Sequence, residues 1–197
     1  MVQHTLTTFA RVARIAQVLV VVAPGDRGLQ HEGAAYSIAE CGGSTRAESV
    51  LNGLNHLLAN GAAPHDWVLV HDAARCLITP AQVNALIDAC LPDAVGGLLA
   101  LPLPDTLKRA AHGRAAETVD RADKWLAQTP QMFRLGLLRD TLAAHAASDF
   151  AGITDEASAM ESAGYQPLLV RGSAQNLKVT YPEDFALAEA ILKGRDR

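Results

Sequence analysis

The sequence predicts an α/β fold, in which helices pack on a sheet. Short apolar runs, such as 18–22 and 67–70, alternate with segments whose apolar residues recur at helical spacing. Hydrophobic residues make up 49% of the 197 residues but aromatic residues only 5%, which favours closely packed helices on a sheet over an aromatic-rich β-sandwich. The length and the alternation together predict one domain with a mostly parallel sheet.

The predicted elements follow from periodicity and from helix-start signals. In order they are helix 3–12, strand 18–22, a short strand near 35–38, a helix after the turn 41–44, strand 67–70, helix 79–91, strand 97–101, helix 133–146, a helix after Thr154, strand 168–170 and helix 180–194. Thr45 with Glu48, and Thr180 with Glu183, predict capping boxes. Thr79 caps a helix whose first residue is Pro80.

The segment 103–124 departs from this alternation. Two short strands, 106–109 and 118–121, are predicted on either side of His112-Gly113, which together form a protruding hairpin arm. Because a lone two-stranded hairpin is marginal in water, we expect the arm to pack on a second copy of the chain. The arm carries the basic residues Lys108, Arg109, Arg114, Arg121 and Lys124. The alternative interpretation is a solvated basic face.

Composition excludes several classes of function. The net charge of -4 gives no nucleic-acid footprint. The three cysteines form no close pair, which indicates neither a disulfide framework nor a zinc site and favours a reducing cytoplasm. The apolar run 15–23 has roughly the length of a signal-peptide core, but Gln17 interrupts it, and no run approaches the roughly 20 residues of a membrane span. Nucleophile-elbow, P-loop and dinucleotide fingerprints are absent from the sequence, and its histidines lack ligand spacing.

The most informative stretch is 67–75, where an apolar strand runs directly into Asp72, two alanines and Arg75. Ligands of open α/β sheets bind beyond the carboxyl ends of the strands, so Asp72 is a candidate ligand-binding carboxylate. The small side chains of Ala73 and Ala74 let a ligand approach the backbone, and Arg75 can hold a phosphate or a carboxylate in a fork. The alternative is an Asp-Arg pair that closes a turn.

Seven motifs follow one another along almost the whole chain: Gly42-Gly43 with Arg46 and Ser49, His71-Asp72-Ala73-Ala74-Arg75, Asp105-Thr106-Leu107-Lys108-Arg109, Thr118-Val119-Asp120-Arg121, Gln128-Thr129-Pro130-Gln131, Thr154-Asp155-Glu156-Ala157-Ser158 and Asn176-Leu177-Lys178-Val179-Thr180. In these motifs the chain resembles the 2-C-methyl-D-erythritol 4-phosphate cytidylyltransferase family. Their joint order and spacing are far more specific than any one motif. The resemblance implies a Rossmann-like nucleotidyltransferase sheet flanked by helices, a homodimer and a CTP-dependent activity.

The resemblance also implies roles for individual residues. Gly43 and Ser49 are expected to hold the cytidine, and Asp72 and Ala73 to line the nucleotide pocket with Arg75 beside them. Asp72 is expected to lie near a Mg²⁺ ion that the phosphates carry.

For the acceptor, the methylerythritol phosphate, the resemblance implies a site made by Thr106 and Arg121 on the arm together with Thr129 and Lys178. The arm 103–124 is expected to reach into the partner subunit. Arg121 and Lys178 are the predicted catalytic residues, since fixed cations offset the negative charge that gathers when one phosphate attacks another.

Two departures from the family pattern qualify these expectations. Members begin with a strand and a glycine-rich loop that cradles the triphosphate, whereas this sequence opens at Met1 in the helix after that unit. We therefore expect a single domain 1–197 that lacks its first strand-loop-helix unit and has impaired activity. Ser44 and Cys76 stand where an acidic residue and a proline are more usual. Two alternatives stay open: transfer to another polyol phosphate, such as ribitol 5-phosphate, and a non-catalytic dimerising remnant.

Overall fold

The elements of the fold come from a computed structural model, which describes residues 1–29 and 35–195. In chain order they are α1 (Val2–Ala10), β1 (Leu19–Val21), β2 (Ser37–Ala39), α2 (Arg46–Ala59), β3 (Trp67–Val70), α3 (Pro80–Cys90), β4 (Gly96–Pro102), β5 (Leu107–Ala111), β6 (Arg114–Val119), β7 (Trp125–Arg134), α4 (Leu135–His145), α5 (Glu156–Ser162), β8 (Leu168–Arg171) and α6 (Pro182–Arg195). The predicted elements are therefore present, and residues 30–34, between the predicted strands 18–22 and 35–38, lie outside the described residues.

The main sheet has the strand order β3-β7-β4-β8. Strand β7 runs antiparallel to both β3 and β4, and β8 runs parallel to β4. Strands β1 and β2 pair with each other in parallel, in a separate two-stranded sheet. Three of the four strands, β3, β4 and β8, therefore run in the same direction, as predicted, and β7, which the sequence did not predict, is the one antiparallel strand of this sheet.

Helices cover both faces of the main sheet, and the strands alternate between the two resulting cores. Leu98 and Phe133 face a core made with α2, α4 and α5, while their chain neighbours Leu99 and Met132 face a core made with α1 and α3. This two-residue alternation is the ordinary consequence of strand geometry. All four side chains are at least 96% buried. The sheet is thus a rigid support for the loops at its ends.

Local caps fix where the helices begin. The capping box at Thr79 forms in full. At α2 only half of the predicted box forms: the Thr45 hydroxyl accepts from the Glu48 amide, while the Glu48 carboxylate accepts from the Ser44 amide instead. At α6 the cap is Asp184, whose Oδ2 accepts from the amides of residues 180 and 181, so the predicted partnership of Thr180 with Glu183 is wrong.

The arm is a two-stranded antiparallel hairpin, as predicted. Its turn places His112 and Gly113 in the left-handed region, at φ 50° and 75°. Most of the hairpin is exposed in the single chain. Over the described residues, none of the helices has the length and apolar character that crossing a membrane requires.

Candidate functional site

An open cleft of about 210 Å³ lies at the carboxyl end of β3. Five charged residues line this cleft: Arg46, Asp72, Arg75, Asp155 and Lys178. Three polar residues of β7 line it as well: Gln128, Thr129 and Gln131. Ala73 is exposed beside Asp72, and its carbonyl accepts a hydrogen bond from the Thr5 hydroxyl at 3.1 Å. The structure therefore gathers four of the predicted site residues, Asp72, Arg75, Thr129 and Lys178, around one opening.

Asp72 is held between two cations. Its Oδ1 accepts a hydrogen bond from Arg46 Nε at 2.8 Å, and its Oδ2 lies 3.0 Å from Lys178 Nζ. Burial acts to raise the pKa of Asp72, but Arg46 and Lys178 outweigh it and hold that pKa below its ordinary value. Lys178 is 47% exposed, so its ammonium can contact both Asp72 and a ligand in the cleft.

Arg46 joins Asp72 to a second carboxylate. Its Nη1 and Nη2 donate to the two oxygens of Glu156, at 2.7 and 3.1 Å. The Glu156 side chain is only 1% exposed. Burial raises the pKa of Glu156, and Arg46 offsets part of that rise. The charges thus alternate from Glu156 through Arg46 and Asp72 to Lys178, which makes a network that is neutral in sum.

The turn after β3 is closed by the backbone, where the Arg75 amide donates to the Asp72 carbonyl at 2.9 Å. The Arg75 side chain does not close it. Its Nη1 and Nη2 donate instead to the carbonyls of Asn176 and Ala127, at 2.8 and 3.2 Å. Within the described residues, Arg75 Nε is buried with no hydrogen-bond partner. The guanidinium therefore ties β7 to the loop after β8 and keeps its buried Nε–H unpaired among the described residues.

Thr129 is buried, with 4% of its surface exposed. Its Oγ1 accepts a hydrogen bond from the Asp72 amide at 3.1 Å and lies 3.1 Å from Nδ1 of His71. Nε2 of the same imidazole lies 3.2 Å from the Arg75 carbonyl oxygen. Burial lowers the pKa of His71 to about 4, although the Arg75 carbonyl opposes that shift. His71 is therefore neutral at physiological pH.

Gly43 and Ser49 lie at the start of α2. The Gly43 amide donates to Ser49 Oγ at 3.0 Å, and the Ser49 hydroxyl donates to the Thr45 carbonyl at 2.9 Å. A Cβ at position 43 would stand 2.4 Å from Cγ of Glu48, so only glycine fits there without a shift. These residues belong to the same turn as Arg46 but do not line the cleft itself.

Thr106 and Arg121 are exposed on the arm, and neither lines the cleft of its own chain. On the hairpin surface, Arg109 pairs with Glu117 and Lys108 Nζ donates to the Thr118 hydroxyl at 2.5 Å. Within one chain the two arm residues do not line the cleft with Thr129 and Lys178, and the predicted shared site would need the arm of a partner subunit.

Comparison with known proteins decides the family. The family model described as 2-C-methyl-D-erythritol 4-phosphate cytidylyltransferase matches residues 1–194. The chain belongs to this cytidylyltransferase family. It is therefore similar to nucleotidyltransferase enzymes, and its fold is theirs.

Relatives and solved structures agree with this membership. A 2-C-methyl-D-erythritol 4-phosphate cytidylyltransferase of Paraburkholderia phymatum is 52% identical, over 98% of this chain and 84% of the relative. The bifunctional enzyme IspD/IspF of Albidiferax ferrireducens is 65% identical over 99% of this chain, which spans 46% of that relative. A crystal structure of 4-diphosphocytidyl-2C-methyl-D-erythritol synthase superposes with a TM-score of 0.90 at 44% identity, covering 97% of this chain and 89% of that one.

The residues at Asp72 do not fit a metal site built by the protein alone. Both oxygens of Asp72 are paired with cations. The described residues contain no cluster of three or more histidine, cysteine, aspartate or glutamate side chains able to hold a metal ion. A hard cation such as Mg²⁺ takes several oxygen ligands, so a cytidylyltransferase with this site would receive it already bound to the triphosphate.

The sequence contained two site residues to which no role was assigned. Arg46 belongs to the motif that begins with Gly42-Gly43, and Glu156 belongs to the motif Thr154-Asp155-Glu156-Ala157-Ser158. The detectable signal was positional: Arg46 is the first residue of α2 and Glu156 is the first residue of α5. Their 110-residue separation hides the pairing from any local pattern.

Proposed function

We propose that the protein transfers a cytidylyl group from CTP to 2-C-methyl-D-erythritol 4-phosphate. An oxygen of the acceptor phosphate attacks the α-phosphorus of CTP and forms a new P–O bond. The bond from that phosphorus to the bridging oxygen of the β-phosphate breaks, and pyrophosphate leaves with the electron pair. Family membership over residues 1–194 and the activity for which the relatives are named support this assignment.

The observation that carries the proposal is the pairing of Asp72 with Arg46 and Lys178 at the mouth of an open cleft. Two phosphate-bearing substrates must meet, and their mutual repulsion has to be offset by preorganised cations. Lys178 contributes a half-exposed ammonium, and the ion pair with Asp72 holds that ammonium at the cleft. Catalysis in this proposal consists of positioning and charge neutralisation, as is usual for phosphoryl-type transfer.

CTP is proposed to enter as its Mg²⁺ complex. Asp72 would hold the cation through a carboxylate oxygen beside Lys178, and the cation would supply positive charge against the phosphates. Gly43 and Ser49 are proposed to hold the cytidine, with Ala73 and Arg75 bordering the nucleotide. Reduced cysteines within the described residues are consistent with the cytoplasm as the site of action.

The acceptor site is proposed to be shared between two subunits of a homodimer. Thr106 and Arg121 lie exposed on the arm, away from the cleft of their own chain. The arm 103–124 of one subunit would bring these two side chains to Thr129 and Lys178 of the other. Exposed apolar side chains next to the arm, Trp125 and Leu126, support burial against a second copy.

Pyrophosphate release with CTP and Mg²⁺ tests the proposal. Each of two acceptors, 2-C-methyl-D-erythritol 4-phosphate and ribitol 5-phosphate, is supplied in turn. Preferential turnover of the first supports the proposal, and preferential turnover of the second supports the alternative acceptor. Binding of neither CTP nor an acceptor supports the non-catalytic dimer and contradicts the proposal. An absence of turnover with both acceptors contradicts the proposed function.

A further inference from the structure

The hydrogen bonds around His71 determine which ring nitrogen carries the proton. The Arg75 carbonyl oxygen, 3.2 Å from Nε2, can only accept, so Nε2 bears the hydrogen. In a neutral imidazole Nδ1 then has a lone pair. Thr129 Oγ1, 3.1 Å from Nδ1, is therefore the donor of that contact.

The Thr129 hydroxyl consequently makes its hydrogen bonds within the protein. A hydroxyl has one proton, which Thr129 gives to His71, and one of its lone pairs accepts from the Asp72 amide at 3.1 Å. The residue is 4% exposed, so little of it is in contact with the cleft. Thr129 therefore cannot donate a hydrogen bond to a substrate while this arrangement holds.

His71 fixes both ends of the segment 72–75 through hydrogen bonds. Through Thr129 it fixes the amide of Asp72, and through Nε2 it holds the carbonyl of Arg75. The ring itself rests against Phe9 of α1, with centroids 5.0 Å apart. Since the Arg75 amide already bonds to the Asp72 carbonyl, the four-residue turn has one fixed conformation.

We infer that His71 is a positioning residue for the reaction: it orients the Thr129 hydroxyl, and through that hydroxyl it sets the direction in which Asp72 enters the cleft. The inference rests on the proposed function, because it assigns a role in the same site. It also revises the expectation for Thr129, which becomes a support for Asp72 and not a direct ligand of the acceptor phosphate.

Two amide variants separate the two hydrogen bonds of the imidazole. In His71→Asn the side-chain oxygen stands near the position of Nδ1 and can accept from Thr129, but the amide is too short to reach the Arg75 carbonyl. In His71→Gln the amide nitrogen reaches toward the position of Nε2, and no acceptor remains for Thr129. Thr129→Val removes the hydroxyl at constant shape, and Thr129→Ser restores it.

The expected kinetics distinguish positioning from direct binding. His71→Gln and Thr129→Val should each lower kcat by about 10- to 100-fold, because a shift of about 1 Å in a reacting group costs that much. The double variant should lose no more than either single variant. Thr129→Ser should restore most of the kcat that Thr129→Val loses, and His71→Asn should retain most of the kcat that His71→Gln loses. If Thr129→Val instead raises KM for the acceptor at unchanged kcat while His71→Gln behaves as wild type, the inference is wrong.

A spectroscopic readout makes the inference independent of activity. In ¹⁵N NMR spectra of the wild-type protein, the inference requires an unprotonated Nδ1 and a protonated Nε2 for His71. It also requires the Asp72 amide to lose its protection from hydrogen exchange in His71→Gln and to keep it in His71→Asn. The opposite tautomer, or an Asp72 amide indifferent to both variants, overturns the inference. Lack of turnover by the wild-type protein contradicts the proposed function alone, and the NMR pattern still decides the role of His71.

Discussion

Glu156 and Arg46 form a two-pronged ion pair beneath the cleft, with Nη1 and Nη2 of the arginine on separate oxygens of the carboxylate. The Glu156 side chain is 1% exposed and the Arg46 side chain 35%. The same guanidinium bonds Asp72 through Nε. Because the buried Glu156 fixes the guanidinium of Arg46, the direction of the Arg46 Nε–H is fixed as well. A change at Glu156 should therefore affect both the stability of the fold and the arrangement of Asp72.

The first prediction is that Glu156→Gln destabilises the protein by about 2–4 kcal/mol. A neutral amide can accept only at its oxygen, so one guanidinium N–H loses its partner and the positive charge is left without its buried counter-ion. The expected value lies toward the lower part of the range for fully buried pairs, because Arg46 is partly solvated. Urea unfolding gives the free energy of unfolding directly.

A surface pair provides the matched control. Glu189 and Lys193 lie four residues apart on α6, are more than 60% exposed and approach to 2.8 Å. Glu189→Gln should therefore cost less than about 0.5 kcal/mol. Equal losses for Glu156→Gln and Glu189→Gln would show that the pair with Arg46 contributes no more than a solvated ion pair.

The second prediction is that Lys178→Met lowers kcat by about 10²- to 10³-fold, which is typical of the loss of one preorganised group that stabilises developing charge. Its effect on the free energy of unfolding should stay below about 1 kcal/mol, because the ammonium is 47% exposed. The measurement is pyrophosphate release, with Lys193→Met as the control that should change kcat by less than about twofold. Equal kcat for Lys178→Met and the wild type would show that Lys178 has no role in the reaction.

How much of the fold was predictable from the sequence depends on β7. Apolar periodicity and caps predicted most of the helices and strands. Strand β7 differs because it has polar residues and a proline in its middle: Gln128, Thr129, Pro130 and Gln131. A proline within a run normally argues against a central strand. These buried polar side chains are satisfied by distant partners, for example Gln131 by Asp155 at 2.8 Å. A local pattern cannot report such partners, so the strand and its antiparallel sense were both missed.

The site was predictable to a similar extent. The position of Asp72 at the end of a predicted strand was enough to predict it as a site residue, and the resemblance predicted Lys178. The contact between Asp72 and Lys178 spans more than one hundred residues, and so does that between Arg46 and Glu156, so both depend on the folded chain. Thr129 illustrates the remaining limit: its presence in the site was expected, but its partners make it a support for the turn.

The third prediction concerns pH. The pKa of His71 is about 4 in the folded protein, against 6.5 for an ordinary histidine. Above pH 6.5 the imidazole is neutral in both states and its contribution to stability is complete. Between pH 6.5 and 4 only the unfolded chain takes up the proton, so stability falls as the pH falls, by about 3 kcal/mol in all. Urea unfolding at a series of pH values measures this slope.

His71→Gln removes the titrating group and should flatten the slope between pH 6.5 and 4. The neighbouring charges of Asp72 and Arg75 stay in place in this variant. His112→Gln, an exposed change on the hairpin turn, should leave the wild-type slope intact. Parallel curves for His71→Gln and the wild type would mean that other groups cause the acid sensitivity.

The fourth prediction tests whether the arm supplies its residues to the partner subunit. Arg121→Ala and Asp72→Asn should each inactivate a homodimer. If Arg121 acts across the interface, a dimer of the two variants has one site with both defects and one site with none. Coexpression gives about half mixed dimers, so activity should return to about a quarter of the wild-type value.

The opposite assignment gives a different number, which is why the experiment is decisive. If Arg121 serves the cleft of its own chain, every site in a mixed dimer keeps one defect, and coexpression restores nothing. Different tags on the two chains show directly that mixed dimers form. A double variant that carries both changes on one chain, coexpressed with the wild type, gives a second comparison. Under the trans arrangement each site of that dimer has one defect, so mixed dimers are inactive and only the wild-type dimers, about a quarter of the total, contribute. Under the cis arrangement the wild-type subunits of mixed dimers stay active, and about half of the activity remains.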